Sequence, residues 1–165
     1  MGLAMTSLKQ INKVIANIPD PEIPVITIKE LGVLRKIEQK QEKIIITITP
    51  TYSGCPAMGR FQKDIKEELE ALNVKDFEIK LQYDPAWTTD WITEEAKIKL
   101  KKYGIAPPAH STKDKNLLFG KKQVVQCPRC NTKHTKLISQ FSSTACKAMY
   151  QCEECLEPFE YFKCL

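Results

Sequence analysis

The sequence predicts an α+β fold: a small αββαβα sandwich followed by a four-cysteine zinc-ribbon domain. Three observations carry that reading. Helical spacings and strand-like runs alternate in that order through residues 5–105. Two Cys-x-x-Cys pairs, Cys127/Cys130 and Cys152/Cys155, then dominate the rest of the chain. A length of 165 residues suits one ordinary core plus a small satellite domain. The predicted layout is an α+β domain at 5–105, a linker at 106–120 and a ribbon at 121–165.

The first helix is predicted over residues 5–18, with Met5, Leu8, Ile11, Ile15 and Ile18 on one face and Ser7 with Gln10 as a capping box. Pro19-Asp20-Pro21-Glu22-Ile23-Pro24 follows. Three prolines in six residues forbid helix and predict a stiff, extended loop. In an extended chain Asp20 and Glu22 would aim to the same side, as a pair of carboxylates or as two solvated acids after a helix stop. Residues 31–38 and 43–49 read as a hairpin around a polar turn at 39–42. A helix to about residue 73 follows, and Phe77-Glu78-Ile79-Lys80-Leu81 alternates as a third strand. After a loop at 84–91, Thr93 caps a last helix whose first turn carries Glu94 and Glu95, and Gly104 with Pro107-Pro108 ends it. Trp87 and Trp91, four apart near that helix start, read as core packing first and a partner-facing patch second. Residues 106–120 lack a period, and Leu117-Leu118-Phe119 could dock on either domain.

The segment at 49–59, T-P-T-Y-S-G-C-P-A-M-G, is the first candidate for chemistry. It joins an apolar strand to a helix marked by Met58, Phe61, Ile65, Leu69 and Leu72. Pro56 suits a first helical position, where a missing N–H loses nothing. Cys55 then sits at or beside an N-cap, where unpaired amides and the helix dipole favour a thiolate. The competing reading is a small apolar cysteine closing a turn.

The ribbon is the most specific motif. Six of the seven cysteines fall in the last 39 residues, and the N-terminus lacks a basic-then-apolar export signal. In a reducing cytoplasm that clustering argues for metal ligation over disulfides. Each knuckle aims two sulfurs at one ion, and two knuckles complete a tetrahedral thiolate site for Cys127, Cys130, Cys152 and Cys155. Structural Zn²⁺ is the first assignment and rubredoxin-like iron the alternative. So short a segment cannot hold a core unaided, so the ion would supply much of its folding energy. Cys146 and Cys164 are left over as partly buried free thiols, with a redox or second-metal role as the other reading. His110 and His134 are not needed as ligands.

Charge and hydropathy exclude several classes. The net charge is +5; residues 1–110 carry a surplus of one base and residues 111–165 a surplus of four. Four thiolates on Zn²⁺ would leave the ribbon near +2, too weak a field to predict nucleic-acid binding. No apolar run approaches the roughly 20 residues that span a bilayer. No Gly-rich nucleotide loop follows a strand, and no E-x-x-H pair points to a di-iron centre, so the chain is not expected to perform an oxygenation itself.

Taken together, D-P-E-I-P at 20–24, the Leu31-Gly32 pair, T-Y-S-G-C-P at 51–56 and D-P-A-W-T-T-D at 84–90 resemble the iron–sulfur cluster assembly domain family, over residues 7–105. A narrower resemblance spans nearly the whole chain. Residues 86–91, the four-cysteine ribbon, Ser143-Thr144-Ala145-Cys146-Lys147-Ala148 and Glu157-Pro158-Phe159-Glu160-Tyr161-Phe162-Lys163 are similar to the PaaD (also PaaJ) component family of the phenylacetyl-CoA ring-1,2-epoxidase system. Asp84 departs from the narrower family and matches the broader one. The resemblance implies a cytoplasmic accessory component of phenylacetate catabolism, with its reactive thiol at Cys55 and its acidic loop at Asp20 and Glu22. It implies help with iron–sulfur cluster assembly or insertion, with the system's iron–sulfur flavin reductase or its oxygenase subunits as client.

Beside that resemblance, Cys55 could hold one corner of a cluster or an iron ion transiently, with Asp20, Glu22 and Asp90 as oxygen ligands or proton acceptors. One thiol cannot complete a four-ligand cluster, so binding would be shared with the client or across a homodimer. The alternatives are a stable structural subunit of the epoxidase complex, with the ribbon as docking surface, and an enzyme using Cys55 as nucleophile. The last lacks a base in any motif near the thiol.

Overall fold

In the computed structural model, which describes residues 7–108 and 124–163, the chain divides into two compact units, residues 1–87 and 88–165. Met5, His110, Leu117-Leu118-Phe119 and Cys164 lie outside the described residues, as does most of the expected linker.

The first unit begins with α1 (Leu8–Ala16), and the Ser7 hydroxyl accepts from the Gln10 amide as its cap. The expected extended loop is instead doubled back on itself. Pro19 bridges Thr27 in antiparallel fashion, and the amides of Asp20 and Ile28 reach the carbonyls of Ile26 and Ile18 at 2.9 Å each. The prolines block helix as expected, but buried Ile23, Ile26 and Ile28 draw the segment inward. Leu31 and Gly32 belong to the next turn, where Gly32 adopts a φ of 77° that costs a glycine little. The strand therefore starts later than its apolar pattern predicts.

β1 (Leu34–Lys40) and β2 (Lys43–Ile48) form the expected antiparallel hairpin, with a register shift between Leu34 and Lys36. β3 (Phe77–Leu81) pairs parallel to β2, giving the order β1-β2-β3. Parallel pairing needs a crossover, and α2 (Ala57–Ala71) supplies it. Beyond the C-cap at Leu72, Asn73 is left-handed at φ 58°. The Val74 amide reaches Leu69 O and the Asn73 amide Glu70 O, both at 2.9 Å, which closes the helix in a Schellman motif. Ile44, Ile46 and Ile48 share one face of β2 and are buried, as are Ile11 and Ile15 of α1 and Phe61, Ile65 and Leu69 of α2. Truncating one of these, such as Ile65→Ala, is worth about 2–5 kcal/mol.

The second unit carries a short 3-10 turn (Thr89–Trp91) and α3 (Glu94–Tyr103), capped by Thr93 and stopped by Gly104 at φ 97°. Its sheet has four strands: β4 (Ile105–Ala106), β5 (Thr135–Ser139), β6 (Lys147–Cys152) and β7 (Pro158–Phe162). They run in the order β4-β7-β6-β5, with β4 parallel to β7 and the others antiparallel. Ala106, Val125, Cys127, Ala148, Tyr150, Cys152, Phe159 and Tyr161 form its buried core. Among the described residues no helix is long and apolar enough to cross a membrane.

Candidate metal centre and the Cys55 turn

Two knuckles of matching backbone geometry build the metal site. In each, the first cysteine's amide donates to a carbonyl five residues on: Cys127 to Thr132 O at 2.9 Å and Cys152 to Glu157 O at 3.0 Å. The residue after each second cysteine is left-handed, Asn131 at φ 63° and Leu156 at φ 62°. Asn tolerates that conformation well, whereas Leu adopts it only where the fold imposes it. Glu154 ties one knuckle to the other. It accepts from Thr132 Oγ1 at 3.0 Å and faces His134 Nδ1 at 2.9 Å.

The four Sγ atoms of Cys127, Cys130, Cys152 and Cys155 lie within 4.8 Å of one another. Cys127 and Cys155 are 3.8 Å apart, and Cys130 and Cys152 are 3.5 Å apart. A tetrahedron with metal–sulfur bonds of about 2.3 Å has edges of about 3.8 Å, so the donor set fits an ion of that size. Cys127 and Cys152 are buried and Cys130 and Cys155 face solvent. On the protein groups alone, burial opposes ionisation of Cys152, but the amides of Cys155 and Glu154 and the neighbouring sulfurs outweigh it and lower its pKa to about 7. The Glu157 amide favours the Cys155 thiolate, yet the Cys152 sulfur and burial push that thiol up to about 12. Cys130 is raised too: the Thr132 amide lowers it, but burial and the sulfurs of Cys152 and Cys127 prevail. Sulfurs this close cannot all ionise without a cation. A bound ion would supply that charge and crosslink the two ends of the ribbon.

The turn before α2 is the second site. Pro56 is the N-cap at φ −67°, and no side chain caps the first turn. Cys55 precedes it and is half-buried, so its sulfur is not sealed under the core. Its amide donates to Tyr52 O and its carbonyl accepts from the Met58 amide, both at 3.2 Å. Thr51 Oγ1 lies 3.7 Å from its Sγ. Gly54 supplies the φ of 80° that turns the chain into the helix. Just upstream, Thr49 is buried, and its hydroxyl has no hydrogen-bond partner among the described residues.

The acidic residues are placed differently from the sequence expectation. Asp20 is buried, and its Oδ1 accepts from the amides of Glu22 and Ile23 at 2.8 Å each, so it organises the proline loop. Glu22 is exposed, so one carboxylate of the pair is buried and the other faces solvent. Asp90 is exposed in the 3-10 turn, where its amide donates to Thr88 Oγ1 at 2.9 Å. Among the described residues the only group of three or more Cys, His, Asp or Glu side chains close enough to share a metal ion is the four-cysteine set. Asp20 and Glu22 do not join Cys55 as a ligand cluster. Trp87 packs as expected: it is buried and donates from Nε1 to Leu31 O at 3.0 Å. Cys146 is buried and not in a disulfide, with Thr144 Oγ1 3.0 Å from its Sγ.

Residue reading missed one cluster. Lys147 is buried and pairs with Glu160 at 2.7 Å. Glu160 also accepts from the hydroxyls of Ser142 and Ser143, each at 2.6 Å. Burial works against its carboxylate, but Lys147 and the two serines overcome that and hold its pKa down at about 2. The signal lay in two segments that resemblance had singled out and no periodicity explained.

Comparison with known proteins fits both halves of this geometry. Residues 8–81 match the family described as iron–sulfur cluster assembly protein, and residues 111–163 match the PaaD zinc beta ribbon domain. A protein of Escherichia coli (strain K12), named as one of the subunits of 1,2-phenylacetyl-CoA epoxidase, is 47% identical over 163 residues, covering 99% of this chain and 96% of that one. The chain belongs to the PaaD family of phenylacetyl-CoA epoxidase subunits. The first domain of this PaaD-family chain has wider relatives. An Fe-S protein maturation auxiliary factor of Porphyromonas gingivalis is 30% identical over 94 residues, covering 56% of this chain and 89% of that one. The crystal structure of a domain of unknown function from Bacillus anthracis superposes with a TM-score of 0.51 at 26% identity, covering 56% of this chain and 89% of that one.

Proposed function

We propose that this PaaD-family protein assists iron–sulfur cluster assembly or insertion into a partner of the phenylacetyl-CoA epoxidase system, the iron–sulfur flavin reductase first and the oxygenase second. The half-buried Cys55 just before α2 carries the reading, because it sets a thiol that the core does not fully cover at the N-terminal end of a helix with no side-chain cap. The match of residues 8–81 to iron–sulfur assembly proteins supports it, as do relatives named as maturation factors. Iron or a cluster is cargo here. A single thiol would hold it only while the client, or a second copy, supplies the remaining ligands. The burial of Asp20 argues that it shapes the loop and does not bind the cargo, leaving Glu22 as the exposed carboxylate of that loop. The ribbon holds Zn²⁺ structurally through Cys127, Cys130, Cys152 and Cys155. The reading places the protein in the cytoplasm.

A second reading, a structural docking subunit, is favoured by the ribbon's exposed Leu137, Ile138 and Phe141. Cluster occupancy of the purified reductase, produced with and without this chain, separates the two. A maturation role lowers occupancy in the absence of the chain. A docking role leaves occupancy unchanged and gives a salt-stable, stoichiometric complex with the oxygenase.

A further inference from the structure

β5 is an edge strand of the ribbon sheet, and its outer residues are unusual for an edge. The register with β6 shifts between Leu137 and Ser139, so Ile138 is an inserted residue. A bulge of this kind re-aims side chains and breaks the in–out alternation. Leu137 and Ile138 are consecutive, yet 47% and 54% exposed. Phe141, in the loop that follows, is 65% exposed.

That loop is held firmly although it buries none of these side chains. Glu160 Oε1 accepts from both serine hydroxyls and from the Ser143 amide at 3.3 Å, while Oε2 pairs with Lys147. The Ser142 amide donates to Lys147 O at 3.0 Å. Lys163 Nζ donates to Gln140 O at 3.1 Å and sits 4.6 Å over the Phe141 ring. A buried ion pair adds little to stability compared with apolar packing, so stability alone does not explain one placed under a surface loop. Its physical consequence is a pre-organised aromatic anchor beside two aliphatic side chains, which lowers the ordering cost of an association.

Charge selects the occupant. Lys133 lies at the knuckle end of β5, where Glu153 and Glu154 contact His134 and Thr132. Towards the apolar patch, exposed Lys136 adjoins Leu137 in β5 and Lys163 sits over the Phe141 ring, while Lys147 is neutralised by Glu160. The charge beside the patch is therefore positive. A second copy meeting the same surface would set lysine against lysine. The chain's own segment 109–123 carries four lysines against one aspartate, which repels it as well. We propose that the β5 edge and the Phe141 loop dock a partner protein of the epoxidase system that presents an apolar pocket rimmed by carboxylates.

The test uses the full, zinc-loaded chain and measures its binding to each purified remaining subunit of phenylacetyl-CoA epoxidase at low and at high salt. One subunit binds, and Phe141→Ala weakens it roughly tenfold or more. Lys136→Glu weakens it at low salt and flattens its salt dependence. Both positions are solvent-facing, and circular dichroism and zinc content check that the ribbon stays folded. Cys55→Ala binds as the wild type does, so docking is separable from cluster handling. The proposal is overturned if no subunit binds, or if the variants bind with wild-type affinity. Light scattering that shows Phe141→Ala abolishing self-association would assign the patch to a second copy and overturn it too.

Discussion

Glu160→Gln is the sharpest perturbation of the ribbon. It leaves the size of the side chain unchanged but removes the charge facing Lys147, whose side chain is 4% exposed against 22% for Glu160, with 2.7 Å between the charged atoms. Breaking one side of a buried pair costs about 3–5 kcal/mol when both partners are sealed. Glu160 keeps some water contact, which places the expected loss at about 2–3 kcal/mol. That is a large share of the roughly 5–15 kcal/mol that holds a domain folded. Lys147→Met alone leaves a carboxylate that still has its serine donors and costs less. Adding Lys147→Met to Glu160→Gln then recovers part of the loss, because no buried charge remains. The assay is urea unfolding of the metal-loaded protein followed by circular dichroism. The pH dependence has a definite sign. A carboxylate held near 2 stabilises the fold above its ordinary value of 4.5 and loses that contribution as pH falls from there towards 2. A gap below about 0.5 kcal/mol at neutral pH refutes the assignment of a structural ion pair.

Three further outcomes follow from the geometry. Asp20→Ala frees the amides of Glu22 and Ile23 and costs about 2 kcal/mol, whereas Asp20→Asn retains an acceptor and costs less, both read from thermal unfolding. If Asp20→Asn proves as damaging as Asp20→Ala, the negative charge is needed and the loop-shaping role is incomplete. Thr49→Val replaces a buried hydroxyl that has no partner among the described residues with a methyl group of similar shape, so stability stays level or rises by about 1 kcal/mol. A clear loss would reveal a polar partner for that hydroxyl. Cys152→Ser removes one of the two buried sulfurs of the set, abolishes stoichiometric metal in atomic absorption and unfolds residues 124–163 while α1, α2 and their sheet persist in circular dichroism. Full metal occupancy in that variant would rule out a four-thiolate site.

The regular elements were legible wherever one physical signal dominated. Ile11 and Ile15, or Phe61, Ile65 and Leu69, repeat at helical spacing and are buried as that spacing demands. The knuckles were legible because Cys-x-x-Cys spacing is itself a geometric instruction. Long-range pairing is where local reading stopped. β4 is two residues long and exists only because β7 lies beside it, so nothing between Gly104 and Pro107 announces a strand. The partnership of Lys147 with Glu160 crosses two strands and leaves no periodic trace. Asp20 and Glu22 failed as a pair because proline fixed φ without fixing chain direction, and buried isoleucines turned the loop back. Cys55 was placed correctly beside the helix start, since a Gly-Cys-Pro sequence after an apolar strand leaves few alternatives.

The central claim is that the Cys55 sulfur handles the cargo. Its direct test is the iron and acid-labile sulfide content of the epoxidase reductase, purified from cells that express either the wild-type chain or Cys55→Ala at equal levels. Occupancy with Cys55→Ala is expected to fall to that of cells lacking the chain, while the ribbon keeps its metal. Full reductase occupancy with the variant would contradict the claim.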